Sequence, residues 1–146
     1  MLIKQISIFI PNKKGSLSQL TDILIAHGID IRAIAVFDTT EFGILRIVVD
    51  DPDRAVEILN KEGIVAKVSK VIAVEPEDKP GSLNQIFSIL RDSDINIEYI
   101  YSFIMRKKEM PYIVLKVDHQ EKAVEELTAN GINVINKEEI YAKESL

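Results

Sequence analysis

The sequence predicts an α+β fold made of two ferredoxin-like β-α-β-β-α-β units, each an antiparallel sheet with both helices on one face. Three observations predict it. The 146-residue chain repeats itself at a nearly constant offset. Hydrophobic periodicity alternates between two and 3.6 in the same order in both copies. Glycine marks the same two element boundaries in both copies, Gly15 and Gly63 in one and Gly81 and Gly131 in the other. One unit of roughly 70 residues is marginal as a free-standing core, and two fused units, or a dimer of the fusion, supply the missing burial.

The repeat is read by setting Gly15 against Gly81, an offset of 66 (81 − 15 = 66). Ser16, Leu17 and Gln19 then meet Ser82, Leu83 and Gln85, and Ile29, Ile31, Ile34 and Phe37 meet Ile95, Ile97, Ile100 and Phe103. After the next turn the offset is 68, because the second copy has a loop two residues longer (118 − 50 = 68). Val49-Asp50 meets Val117-Asp118, and Gly63-Ile64 meets Gly131-Ile132. A fixed offset held over so many apolar positions signals duplication.

The elements follow in order. "IKQISIFI" alternates at Ile6, Ile8 and Ile10, as a half-buried strand does. Leu17, Leu20, Ile23 and Leu24 fall at helical spacing, and Gly28 ends that helix. "DIRAIAVFD" and "FGILRIVVD" are β-rich runs around the turn "TTE". In "DPDRAVEILNKEG", Asp51 is placed as an N-cap, Pro52 as the first helical residue and Gly63 just past the end. "IVAKVSKVIAVEP" lacks Gly or Pro until Pro76, so it passes from the last strand of unit one to the first of unit two without a linker. Unit two repeats the pattern, with a helix near 81–93, strands near 95–106 and 111–118, a helix near 120–130 and a strand near 132–137. The tail "EEIYAKESL" has no clear periodicity. The expected domains are 1–69 and 70–146.

Composition narrows the function classes. Hydrophobic residues make up 47% and charged residues 28%, ordinary for a globular protein. A net charge of −5 disfavours nonspecific attraction to nucleic acid or to an anionic membrane. The absence of cysteine removes disulfides and thiolate metal sites. The N-terminal apolar run is too short and too alternating for a signal peptide, and no stretch approaches the roughly 18 residues that span a bilayer. A cytoplasmic protein without membrane or nucleic-acid partners is expected.

The repeated entry, "PNKKGSL" and "EDKPGSL", is the candidate binding element. Its glycine could merely make a turn, and Leu17 and Leu83 could merely anchor the helix to the sheet. Against this, the loop is polar and matched in both copies: Asn12, Lys13 and Lys14 in one, Asp78, Lys79 and Pro80 in the other. Gly15 and Gly81 allow backbone to approach a ligand. The first amides of the following helix lack intrahelical partners and carry the positive end of its dipole, which suits a carboxylate. Asp30 and Asn96, each 15 residues after its glycine, stand at the start of the second strand and could hold the ammonium of a small zwitterion. Asp30 could instead cap a strand turn.

These residues resemble the ACT domain, the amino-acid-sensing module of metabolic enzymes. Its signature joins a D/N-x-P-G-x-L loop to an Asn-Ile pair at the start of the second strand. Unit two carries it nearly intact in "DKPGSL" and "INIEYI". Unit one departs from it, with Lys14 where proline is usual and Asp30 where asparagine is common. The resemblance covers the chain twice, as in stand-alone tandem ACT proteins. It implies a free amino acid bound between two domains, contacted by the loop and first helical turn of one and the second-strand start of a neighbour. By position it points to Asn12, Lys13, Gly15, Ser16, Leu17, Asp30 and Ile31, and to Asp78, Lys79, Gly81, Ser82, Leu83, Asn96 and Ile97. Solvated loop charge is the competing reading of the lysines. No cofactor is implied, and the regulated partner would be a metabolic enzyme.

No catalytic or metal constellation is visible. His27 lies near a helix C-terminus and His119 at a strand-to-helix junction, neither with carboxylates at ligand spacing. No phosphate loop, nucleophile elbow or zinc signature occurs, and the expectation is that the protein is not an enzyme. In "IEYIYSFIM", Tyr99, Tyr101 and Phe103 alternate onto one face, which suits base stacking or sheet packing between subunits. Acidity, and Ala33, Ala35 and Phe37 at the equivalent positions, favour packing. Ile34 and Val36 make the other face apolar too, which argues for a subunit interface and a homodimer. The expected function is amino-acid binding that changes assembly or partner affinity. The alternatives are a constitutive interaction module without ligand and, further off, an RNA-binding protein of the same topology.

Overall fold

Alternation, helical spacing and capping residues produce the expected elements. The computed structural model describes residues 2–38, 42–104 and 111–141. The strands are β1 (Ile3–Pro11), β2 (Ile31–Asp38), β3 (Phe42–Val49), β4 (Ala66–Glu75), β5 (Ile97–Ile104), β6 (Pro111–Val117) and β7 (Asn133–Val134). The helices are α1 (Ser16–Ala26), α2 (Pro52–Lys61), α3 (Ser82–Asp92), α4 (Gln120–Ala129) and α5 (Lys137–Tyr141). They form two units. One is built on Lys4–Ser69 with Tyr141, the other on Lys70–Ile140 with Leu2 and Ile3. Each is an antiparallel sheet with helices, the ferredoxin-like arrangement.

In the N-terminal unit the sheet order is β2-β3-β1, both pairings antiparallel. Ile6, Ile8 and Ile10 of β1 turn to one face and pack with Leu20 and Leu24 of α1 and Ala55, Ile58 and Leu59 of α2. At about 25 cal/mol per Å² of apolar surface removed from water, each of these leucine and isoleucine side chains contributes roughly 1.5–3 kcal/mol. The Asp51 carboxylate caps α2 by accepting from the Arg54 amide at 3.4 Å, with Pro52 in the first turn. His27 closes α1, its Nδ1 donating to the Ile23 carbonyl at 2.9 Å. The Tyr141 hydroxyl accepts from the Lys4 amide at 2.6 Å, and the Lys4 ammonium meets Asp53 at 2.9 Å.

In the C-terminal unit the order is β5-β6-β4-β7, again antiparallel. Ile72, Val74, Ile86, Leu90, Leu115 and Leu127 lead its core. The last strand is shorter than the sequence suggested. β7 pairs only Asn133 and Val134 with β4. The Ile135 amide still donates to the Ala73 carbonyl at 2.8 Å, and from Asn136 the chain turns into α5. Glu138 and Glu139 fall in the first turn of that helix, where the dipole favours them. The turn at 39–41 and the longer loop at 105–110 lie outside the described residues.

β4 is one unbroken strand from Ala66 to Glu75, a run that contains no Gly or Pro to interrupt it. The aromatic stripe of β5 is partly core. Phe103 is buried edge-on against Tyr112, with centroids 5.4 Å apart, while Tyr99 and Tyr101 are half-buried and stacked at 6.4 Å. On β2, Ala33 is buried, whereas Ile34 and Val36 are each 47% exposed.

Candidate functional site

The two loops have one backbone design. Gly15 and Gly81 cap their helices with φ of 88° and 89°, the left-handed region that a β-carbon disfavours. Each loop is tied in the same way: Ser16 N–H donates to Lys13 O and Ser82 N–H to Lys79 O, both at 3.3 Å. No side chain caps either helix, so the positive end of each dipole faces outward. Asn12, Lys13, Asp78 and Lys79 are exposed around it, Lys79 paired with Glu77 at 2.8 Å.

Leu17 and Leu83 are 43% and 42% exposed. Neither therefore serves mainly as a helix anchor, and Leu20 and Ile86 do that work. The serines differ. Ser82 Oγ donates back to the carbonyls of Glu77 and Lys79, at 2.7 and 2.9 Å. Ser16 Oγ is buried with no hydrogen-bond partner.

The second-strand starts are also built alike. The Asp30 amide donates to the Asp50 carboxylate at 3.0 Å, and the Asp50 amide returns a bond to the Asp30 carbonyl at 3.1 Å. Asn96 and Asp118 repeat the exchange at 2.9 and 3.2 Å. Asp50 and Asp118 thus hold the strand starts in place. Sequence reasoning used them only as repeat markers, although an acidic residue kept at the end of the third strand in both copies was the available signal. Asp30 also contacts the Arg32 guanidinium. Ile31 and Ile97 turn their side chains toward their unit cores.

Within one unit, loop and strand start do not meet. β1 and β2 both run antiparallel to β3, so they are parallel to each other. Pro11, at the loop end of β1, lies opposite Phe42, while Ile31 lies opposite Val49. Seven residues of β3 separate them (49 − 42 = 7), about 24 Å at 3.4 Å per residue. The C-terminal unit runs in the same sense, with Val74 opposite Ile113 and Ile97 opposite Val117. One amino acid cannot bridge Gly81 and Asn96 of the same unit. The element order already contained this, because a helical crossover makes the first two strands parallel.

Two concavities lie away from the loops. A cleft of about 520 Å³ at the start of α4 is lined by Lys70, Lys116, His119 and Glu121, and one of about 270 Å³ by His27, Arg54 and Lys61. Basic and acidic side chains mix in both, as on a solvated surface. Among the described residues no group of three or more His, Asp or Glu side chains is placed to hold a metal ion, and no helix is long and apolar enough to cross a membrane.

Two copies of this unit, each with a glycine-capped loop and a clipped second strand, define a tandem of ferredoxin-like domains. The chain belongs to the ACT domain pair family, which matches residues 1–143. Among solved structures it is similar to protein BT0572 from Bacteroides thetaiotaomicron, with 29% identity, 98% of each chain covered and a TM-score of 0.90. It also shares its fold with the ligand-free regulatory subunit of aspartate kinase from Thermus thermophilus, at 19% identity over 89% of this chain and 94% of that one, TM-score 0.64. E. coli aspartokinase III, solved in complex with lysine and aspartate, shares the fold at 17% identity over 89% of this chain and 31% of that one, TM-score 0.54. No curated protein matches the sequence.

Proposed function

We propose that the protein is a non-catalytic, cytoplasmic amino-acid sensor. Its sites pair the loop of one ACT domain with the second-strand start of another, in the same chain or in a second copy. The observation that carries this reading is the loop itself, built twice with the same left-handed glycine, an uncapped helix start and an exposed leucine. The ligand carboxylate docks on the first-turn amides at Leu17-Ser18 or Leu83-Asn84, since the Ser16 and Ser82 amides are already used inside the loop. Its ammonium is held by the Asp30 carboxylate or the Asn96 side-chain oxygen. The leucine covers the apolar part of the ligand. The 24 Å between loop and strand start within a unit supports a site shared between domains. The output is a change in assembly or in affinity for a metabolic enzyme, and the assembled form is a homodimer.

A melting screen of the intact chain against the twenty amino acids tests this. A ligand that binds only the folded state stabilises it by about 2.7 kcal/mol at a hundred times its Kd. One amino acid, or a chemically related few, should raise Tm. A flat screen would replace the reading with that of a constitutive assembly module, which the exposed Ile34 and Val36 of β2 favour.

A further inference from the structure

Of the seven asparagines in the chain, one, Asn130, is followed by glycine. It ends α4 as the C-cap, at φ −97° and ψ 15°, and Gly131 follows with φ 79°. Hydrogen bonds close the corner between α4 and β7. The Asn130 Nδ2 donates to the Glu126 carbonyl at 2.8 Å, the Gly131 amide to the Thr128 carbonyl at 3.1 Å and the Ile132 amide to the Leu127 carbonyl at 3.0 Å. The N-terminal unit makes the same corner with Glu62-Gly63, where the Gly63 and Ile64 amides donate to the Asn60 and Leu59 carbonyls. The backbone of this corner therefore does not require asparagine.

Asparagine before glycine has a reaction of its own. Glycine has no β-carbon to obstruct its nitrogen, which can attack the neighbouring side chain. The Gly131 nitrogen gives its proton to water and bonds to Asn130 Cγ. The Cγ–Nδ2 bond breaks, ammonia leaves, and a five-membered succinimide closes. Asn130 is exposed, so water reaches the ring and opens it. Breaking the bond from nitrogen to Cγ leaves aspartate. Breaking the bond from nitrogen to the main-chain carbonyl carbon leaves isoaspartate, with the chain running through Cγ. The Glu62 carboxylate has no amide leaving group, so the N-terminal corner is exempt.

We propose that Asn130 is a site of spontaneous modification, and that the folded corner holds the reaction off. At ψ 15° the side chain and the Gly131 nitrogen are turned away from each other across the Cα–C bond. Both are also tied to carbonyls of the last helical turn. Ring closure therefore waits for the corner to open locally. The isoaspartate product puts one extra atom into the backbone between α4 and β7. The Gly131 and Ile132 hydrogen bonds then lose register, and β7, which pairs only Asn133 and Val134 with β4, loses its anchor. The C-terminal unit ages at this corner while its N-terminal counterpart does not.

Incubation of the intact chain in mildly alkaline buffer, folded and in urea, tests this by mass spectrometry with peptide mapping. Each event adds about 1 Da. In urea Asn130 should react faster than any other asparagine. The folded chain should react there at least about tenfold more slowly. Val134→Ala weakens the anchor of β7 without touching α4, and should raise the folded-state rate severalfold. Asn130→Glu installs the residue of the N-terminal corner, and should abolish the mass gain in that peptide while the chain stays folded by circular dichroism. Aged native chain should contain isoaspartate and melt below fresh chain. If another asparagine reacts faster in urea, the site assignment is overturned. If folded and urea rates agree, or if Val134→Ala leaves the folded rate unchanged, protection by the corner is overturned.

Discussion

Asp50→Ala removes the acceptor that pins the first strand-start amide. In the structure the Asp30 N–H donates to the Asp50 carboxylate at 3.0 Å in a half-buried setting. A hydrogen bond to a charged acceptor has a net worth of about 1.5–3 kcal/mol, and partial exposure puts this one at the low end. The return bond from the Asp50 amide belongs to the backbone and survives the substitution. A loss of about 1.5 kcal/mol in a chain of this size lowers Tm by roughly 3–6 °C. Asp50→Asn keeps an oxygen acceptor without the charge and should lose about half as much. Asp118 makes the same clip, but its side chain is 38% exposed, so Asp118→Ala should cost less than Asp50→Ala. Differential scanning calorimetry orders the three. An unchanged Tm for Asp50→Ala, or an Asp50→Asn loss equal to it, would refute the reasoning.

The remaining predictions concern the loops, the cores and pH. Gly81→Ala should cost about 1–2 kcal/mol in urea denaturation, because the left-handed φ strains any β-carbon although open space surrounds it. Gly43→Ala, whose new carbon would sit 3.5 Å from Ile10, should be nearly neutral; equal losses would show that φ is not the cause. Leu90→Ala should cost about 2–5 kcal/mol, while Leu83→Ala should change stability by under about 0.5 kcal/mol. Burial raises the Tyr141 phenol above its usual range, and the hydrogen bond and charge of Asp53 raise the Lys4 ammonium. A raised folded-state value gives stability that is present below the unfolded value and lost as pH climbs through the folded one. Tm should therefore fall above about pH 10. Tyr141→Phe should make that fall shallower in a pH 8–11 melting series, and an identical profile would exclude the phenol.

Much of the fold was legible because local signals agreed with the tertiary structure. The alternation of Ile6, Ile8 and Ile10, the Asp51-Pro52 helix start and the twin glycines each had one physical solution; duplication supported the glycines, while the Asp51-Pro52 start has no copy, His119-Gln120 standing in its place. What escaped notice depends on partners far apart in sequence. The Asp50 and Asp118 clips join residues 20 and 22 positions apart, and the bulges at Arg32 and Glu98 exist only relative to β3 and β6. The exposure of Leu17 and Leu83 could not be read from helical spacing, because the first turn of each helix overhangs its core. The end of β7 was misplaced because "INVIN" continues a β-type pattern while Asn136 already opens the turn into α5.

The central claim is that a free amino acid occupies the glycine-capped loops and the second-strand starts. Titration of the intact chain, native and Asn96→Ala, with the amino acid that most raises Tm tests it most directly. The account predicts saturable binding to the native chain. Asn96→Ala should weaken it at least about tenfold, with the ligand-free Tm nearly unchanged, because the Asn96 amide rather than its side chain makes the bond to Asp118. Absence of binding by any of the twenty amino acids at millimolar concentration would contradict the account.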